Sequence, residues 1–224
     1  MKIVILANGD FPTAQAPVHA LNDADYVICC DAAYNILCGQ RPDIQKPITI
    51  IGDFDSIECL EFEDSRVRQI IHVYEQQSND QTKAFNHALD MLKRQTQEER
   101  HTITILGATG KREDHTLGNI ALLADYLEES RLLEIPISIC MMTNYGCLTP
   151  IDRPTIFESF PRQQVSLFSM IYGCVISTDG LEYPLHGESL PRLWMGTLNA
   201  SLGQSFSVTP EGGIVIVYQT FDPK

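Results

Sequence analysis

Along the first two-thirds of the chain, short apolar runs alternate with polar or glycine-containing breaks and then with segments of helical periodicity. The runs are Ile3 to Ala7, Tyr26 to Cys30, Ile48 to Ile51, Ile70 to Tyr74, Thr102 to Leu106 and Ile135 to Met142. Most lack polar alternation, the pattern of strands covered on both faces. Strands that alternate with helices in this way predict an α/β unit built on a doubly wound, mostly parallel sheet. Ala84, Phe85, Ala88, Leu89 and Leu92 recur at helical spacing after Asp80, as do Leu117, Ile120, Ala121, Ala124 and Leu127 after Asp114. Each set predicts a helix with one apolar stripe. Between Glu58 and Gln69 the chain is charged and follows no clear period.

Beyond about Thr143 the texture changes to short β-type runs separated by turn residues: Val165 to Met170, Cys174 to Ser177, Ser205 to Val208 and Ile214 to Tyr218. Pro210-Glu211-Gly212-Gly213 reads as a hairpin connection between the last two. A small antiparallel sandwich or barrel follows. Turn-forming residues and two prolines between Asn144 and Pro154 mark the break, giving an α/β domain over 1–145 and an antiparallel β-sandwich domain over 146–224.

The net charge of -13 narrows the partners. Nucleic acid and anionic membranes attract clustered Lys and Arg, so neither is expected as a partner. A metal-bridged anion stays open, because a bound cation reverses the local sign. The opening run of apolar residues, ending before Asn8, is too short for a secretory segment or a membrane span, which predicts a cytoplasmic protein. Seven cysteines without a CxxC spacing fit reduced thiols.

Aspartates fall where a parallel sheet opens to ligands, just beyond the carboxyl ends of its strands. Asp10 and Asp31 follow the first two runs, Asp53 and Asp55 follow the third across Gly52, and Asp80 and Asp114 stand at helix entrances. Any one of them reads equally as a helix cap or turn former. Gathered in one crevice, they would raise one another's pKa unless a cation were present. Magnesium suits such a site, since it takes one or two carboxylates and completes its shell with water and phosphate oxygens.

A second signal is the loop Gly107-Ala108-Thr109-Gly110-Lys111-Arg112-Glu113-Asp114-His115 between a strand and a helix. Glycines let backbone N–H groups turn to an anion, and Lys111 or Arg112 can meet phosphate oxygens. The spacing is not that of a P-loop. His115 reads as a proton shuttle, a phosphate contact or a loop-fixing hydrogen-bond partner, and Asn119 as a contact to a ligand or to the loop.

The ordered set Asn8-Gly9, Cys30-Asp31-Ala32-Ala33, Gly52-Asp53-Phe54-Asp55-Ser56, Asp80-Gln81-Thr82, and Gly107-Ala108-Thr109-Gly110 with Asp114-His115 and Asn119 resembles the thiamine pyrophosphokinase family. Gly180-Leu181-Glu182-Tyr183-Pro184-Leu185 resembles that family's GLKYPL-type segment. The resemblance implies an N-terminal nucleotide- and magnesium-binding catalytic domain, a C-terminal sandwich for thiamine binding and dimerisation, and a homodimer. It implies transfer of an intact diphosphate from ATP to the hydroxyl of thiamine, giving thiamine diphosphate and AMP. By motif, Asp53, Asp55 and Asp80 are the Mg2+ and reaction-centre carboxylates. Asp31, Gly107, Thr109, Gly110, Lys111, Arg112, Asp114, His115 and Asn119 join the ATP site.

The chain departs from the family's DxTD pattern at Lys83, which reads as a phosphate contact or, preferably, as a solvent-facing helix position. For thiamine, a cationic aromatic, Tyr183 and Trp194 offer ring faces, with Asn199 and Ser201 standing in the region of the family's thiamine-site Ser-Asn pair. Two alternatives remain. A DxD-type sugar-nucleotide transferase would use Asp53 and Asp55 but gives Asp31, Asp80 and the Gly107 loop no role. A catalytically inactive thiamine- or nucleotide-binding regulator is motivated by Lys83 and the Asn199 region.

Overall fold

The computed structural model describes residues 1–53, 64–74, 77–95 and 99–222. The chain divides into two compact units, one of Met1–Leu122 with Glu129–Asn144, the other of Leu123–Glu128 with Tyr145–Lys224.

In the first unit, with the middle of α4 (Leu123–Glu128) belonging to the second, the chain runs β1 (Lys2–Leu6), α1 (Gln15–Asn22), β2 (Tyr26–Cys30), α2 (Ala33–Gln40), β3 (Ile48–Gly52), β4 (Val67–His72), α3 (Asp80–Leu92), β5 (His101–Leu106), α4 (Glu113–Arg131) and β6 (Ile137–Met142). Its strands lie in the order β6-β5-β1-β2-β3-β4, all parallel. Strand β1 is central, and the chain leaves it in one direction through β2 to β4 and in the other through β5 and β6. The carboxyl ends of β1 and β5 are therefore the switch point at which such sheets open a crevice.

Alternate residues of each strand face opposite sides. Val4, Leu6, Val27, Cys29, Ile48 and Ile50 join Leu21 of α1 and Ala33, Tyr34 and Leu37 of α2 in one core cluster. The intervening Ile3, Ile5 and Ile28 are buried as well, so the sheet is covered on both faces. Helix α3 packs against β1, β2 and β3 and buries Ala84, Phe85, Ala88, Leu89 and Leu92, the predicted stripe.

Helix α4 differs from expectation. Leu117 and Ala121 are exposed, and the buried side runs instead through Asn119, Leu123, Tyr126 and Ser130. Two polar residues on that side rotate it away from the apolar stripe. Ala124 and Leu127 are also buried, against Met170 and Ile214.

Beyond the end of β3, residues 64–66 are fastened to the α2 side of the unit. The Arg66 guanidinium forks onto Asp64, with an Nη2 to Oδ2 distance of 2.6 Å, and also donates to the Ile44 carbonyl, while the Tyr34 hydroxyl donates to Asp64 Oδ2 at 2.7 Å. The hydrogen bonds from Arg66 hold the Asp64 carboxyl well below the usual carboxylate range. A depressed folded-state pKa adds stability above the unfolded value, and that stability is lost as pH falls through the folded one. Asp64→Asn is expected to cost about 2 kcal/mol at neutral pH. Urea unfolding should show the gap from wild type narrowing below about pH 4; a gap independent of pH would remove the ion pair as its source.

The second unit holds β7 (Gly146–Ile151), β8 (Thr155–Glu158), β9 (Gln164–Ser169), β10 (Val175–Asp179), β11 (His186–Ser189), a 3-10 turn (Leu193–Gly196), β12 (Asn199–Ala200), β13 (Ser205–Glu211) and β14 (Val215–Thr220). Two antiparallel groups, β12-β9-β14-β7 and β11-β10-β13-β8, share one core that includes Val165, Leu167, Val215 and Val217 from the first and Phe157, Ile176, Phe206 and Val208 from the second. This is a sandwich.

One expectation fails here. Pro210 to Gly213 is not a hairpin connection: Pro210 lies within β13 opposite Ile176, and β13 and β14 belong to different sheets. Gly212, at φ +73°, turns the chain across from one sheet to the other. The stretch from Asn144 to Pro154 holds the boundary between the two units, at Asn144, and also β7, whose Pro150 stands opposite Ile216.

Candidate active site

A cavity of about 730 Å³ opens at the carboxyl ends of β1, β2, β3 and β5 and at the N-termini of α3 and α4. Its lining brings together Asp31, Asp53 and Asp80 with Gly107, Thr109, Lys111, Arg112, His115 and Asn119. Asp31 follows β2, Asp53 follows β3, Asp80 opens α3, and the others lie between the end of β5 and the first two turns of α4, gathered because all the strands run the same way.

The floor is two loops held face to face. Ala7 N–H donates to the Leu106 carbonyl at 2.8 Å, Gly9 N–H to the Gly107 carbonyl at 2.6 Å, and Asp10 N–H to the Thr109 carbonyl at 2.8 Å. A Cβ on Gly9 would lie 2.3 Å from the Gly107 oxygen, so only glycine fits. Gly110, at φ +99°, passes beneath the Asp10 carboxylate and does not line the cavity. Asp10 thus belongs to the loop pairing.

Asp31 is buried at φ +46°, a left-handed conformation that costs a non-glycine residue free energy and is found at sites where the surroundings impose it. Its N–H donates to the Ile51 carbonyl at 2.9 Å, and a Cβ on Gly52 would come within 3.1 Å of the Asp31 Cβ. The backbone pairing of β2 with β3 therefore fixes Asp31 beside the segment that carries Asp53. Asp55 lies outside the described residues.

The cap of α3 is Asn79, whose Oδ1 accepts from Thr82 N–H at 2.9 Å. With capping done by its neighbour, Asp80 is left on the cavity side. Lys83 does not face solvent as expected: it is buried, lines the cavity and donates from Nζ to Asp80 Oδ1 at 3.0 Å. The Cys30 thiol, also on the lining, donates to the Asp80 carbonyl at 3.5 Å.

Asn119 is a strut. Its Nδ2 donates to the Ala108 carbonyl at 2.8 Å, and its Oδ1 accepts from Asn79 Nδ2 at 3.0 Å. The buried amide thereby ties the cap of α3 to the glycine loop through α4. Asn119→Leu leaves both partners without it, and is expected to cost about 1–3 kcal/mol and to lower turnover. Thermal melting and a turnover assay check this; an unchanged melting point would mean the strut is dispensable.

Asp114 is not among the residues that line the cavity. Its carboxylate receives the Arg112 guanidinium and accepts from His115 N–H at 2.8 Å. The bond from Arg112 holds its carboxyl below the ordinary range. Lys111 Nζ donates to Asn8 Oδ1 at 3.1 Å, bridging the two floor loops. Asn8, Asn79 and Gln81 line the cavity without a role assigned from sequence. Their signal was position alone, just beyond a strand or at a helix cap.

Among the described residues, no three His, Cys, Asp or Glu form a metal-holding group by themselves. A magnesium ion does not require one, since one or two carboxylates suffice beside phosphate oxygens and water. The hard oxygen donors Asp31, Asp53 and Asp80 on one cavity fit it chemically.

In the second unit, Asn199 is buried with its side chain committed to the Tyr183 backbone: Oδ1 accepts from Tyr183 N–H at 3.0 Å and Nδ2 donates to the Tyr183 carbonyl at 2.7 Å. Ser201 is buried in a hydroxyl pair with Ser159 at 2.7 Å. The rings of Tyr183 and Trp194 are exposed. Asn199 thus shapes the segment that presents Tyr183.

Residues 18–135 match the family profile "Thiamin pyrophosphokinase, catalytic domain", and residues 146–218 the profile "Thiamin pyrophosphokinase, substrate-binding domain". The chain belongs to the thiamin pyrophosphokinase family. It is 29% identical over 198 residues to thiamin pyrophosphokinase 1 of Caenorhabditis elegans, which covers 79% of this chain and 80% of that relative. The fold matches thiamine pyrophosphokinase from Bacillus subtilis with a TM-score of 0.75 at 22% identity, over 99% of this chain and 100% of that one. It matches thiamin pyrophosphokinase from Candida albicans with a TM-score of 0.77 at 18% identity, over 99% and 90%.

As a member of the thiamin pyrophosphokinase family the chain is an ATP-dependent diphosphotransferase with thiamine as acceptor, which removes the sugar-nucleotide transferase alternative. No described helix is long and apolar enough to cross a membrane.

Proposed function

We propose that the cavity of the first unit is where diphosphate passes from ATP to thiamine, with Mg2+ held by Asp53 and Asp80 beside Asp31. The observation that carries this reading is the convergence of three carboxylates with a glycine loop in one cavity at the switch point of a parallel sheet. Bound there, Mg2+ would neutralise phosphate charge and polarise the phosphorus under attack.

The protein's own groups do the rest. The loop from Gly107 to Lys111 and the N-terminus of α4 receive the polyphosphate, whose charge the backbone N–H groups and Lys111 offset. The thiamine hydroxyl attacks the β-phosphorus of ATP, the bond from that phosphorus to the α-phosphate oxygen breaks, and AMP leaves. The hydroxyl proton passes to a carboxylate of the site. Such a reaction depends on positioning and charge rather than on a covalent enzyme intermediate.

For thiamine, the exposed rings of Tyr183 and Trp194 offer faces to a cationic aromatic. Leu193, Met195 and Leu198 are exposed in the same segment as Trp194. An apolar segment of this kind is suited to cover by a second copy of the chain, which supports a homodimer.

Incubation with ATP, Mg2+ and thiamine followed by separation of the products tests the reading. AMP and thiamine diphosphate in equal amounts are expected. ADP with thiamine monophosphate would refute intact diphosphate transfer, and absence of turnover would favour the non-catalytic regulator.

A further inference from the structure

Lys83 stands in the first turn of α3, a helix that begins at Asp80. The start of a helix carries partial positive charge, so it favours anions and disfavours a cation. Burial disfavours an ammonium further, by removing its water. Yet Lys83 is only 7% exposed, and it lines the cavity that also holds Asp31, Asp53 and Asp80.

The other cations of the cavity are differently placed. Arg112 is engaged with Asp114, with their side chains 68% and 63% exposed, and Lys111 reaches across to Asn8. Lys83 is therefore the cation set among the carboxylates. Its contact with Asp80, 3.0 Å between Nζ and Oδ1, fixes where the ammonium sits without using all three of its donors.

Building on the function proposed above, we propose that Lys83 is a catalytic residue, its ammonium donating hydrogen bonds to the oxygens of the diphosphoryl group as that group passes from ATP to the alcohol. Lys83 gives up no proton in this role. Asp80 is its positioning partner, and the charge placed in advance acts where negative charge gathers during transfer.

Removing one member of a buried ion pair costs stability whatever the pair is for, because the other charge is left uncompensated, so the rate and not the melting point decides the role. For Lys83→Met, kcat per folded molecule is expected to fall about 100-fold or more, with KM for thiamine within about threefold. Lys83→Arg keeps the charge and is expected to recover at least about tenfold of the lost kcat. Lys83→Met that melts lower yet keeps kcat within about fivefold would overturn the proposal and make Lys83 a structural partner of Asp80.

Should Lys83→Met fail to fold, Lys83→Gln serves in its place, with kcat referred to the folded fraction. A loss below about fivefold again overturns the role. Wild type assayed in parallel separates the two claims: if it releases no AMP, the functional reading itself fails and the role of Lys83 falls with it.

Discussion

Asp53→Ala is expected to lower turnover by at least about a thousandfold while moving the thermal midpoint by less than about 2 °C. The argument is positional. Asp53 follows directly on β3, whose neighbour β2 ends at the strained Asp31, and both residues line the cavity with Asp80. A carboxylate in that place neutralises a metal ion or orients it, and alanine removes the oxygen donors without opening a cavity in the core. Asp53 is only half-buried, so its loss takes little from packing. Activity and melting of the same preparation decide the matter. Full turnover at ordinary magnesium would exclude Asp53 from the reaction centre, and a large fall in melting temperature would recast it as a structural residue.

Gly9→Ala should do the opposite, striking the fold and the reaction together. The added Cβ would meet the Gly107 oxygen at 2.3 Å and the Thr109 oxygen at 2.4 Å. Both are backbone atoms in the facing loop, so no side chain can swing aside. The loops must separate, breaking the bond from Gly9 N–H to the Gly107 carbonyl. The expected cost is about 3 kcal/mol, at the upper end for overpacking, or roughly 6–12 °C in a chain of this size, with turnover reduced as well. Gly39 in α2 provides the contrast, since a Cβ there meets nothing within 4 Å. Gly39→Ala is expected to raise stability by about 0.5–1 kcal/mol. Equal melting points for the two variants would sink the steric argument.

What could be read in advance followed from local chemistry. The runs that became β1, β2, β3 and β5 are β-branched and apolar on both faces, and a strand buried on both sides leaves few other arrangements. The aspartates after them were legible because a parallel sheet has one functional edge. Asp80 could not be told from a helix cap until Asn79 was found in that role.

The misreadings have a common cause in tertiary partners. β7 was hidden by Pro150, a residue that argues against a strand until one sees it opposite Ile216. The crossing at Gly212 looked like a hairpin because turn residues record a change of direction and not which strand lies beyond. The buried side of α4 was misjudged because Asn119 is polar, and its burial is tolerable only with Asn79 and Ala108 in reach. Of the two readings of Lys83, phosphate contact or solvent-facing position, the second was preferred for a similar reason: a lysine on a helix is ordinarily solvated, and only the fold turns this one inward.

The thiol on the cavity lining has a bearing on how this protein meets oxidants. Desolvation, and after it the charge of Asp80, raises the Cys30 thiol well above its ordinary value, and Cys30 donates its hydrogen to the Asp80 carbonyl. Peroxides and alkylating reagents attack the thiolate, which this residue scarcely forms near neutrality. Sulfur can therefore sit against the phosphate-handling groups without making catalysis hostage to redox conditions.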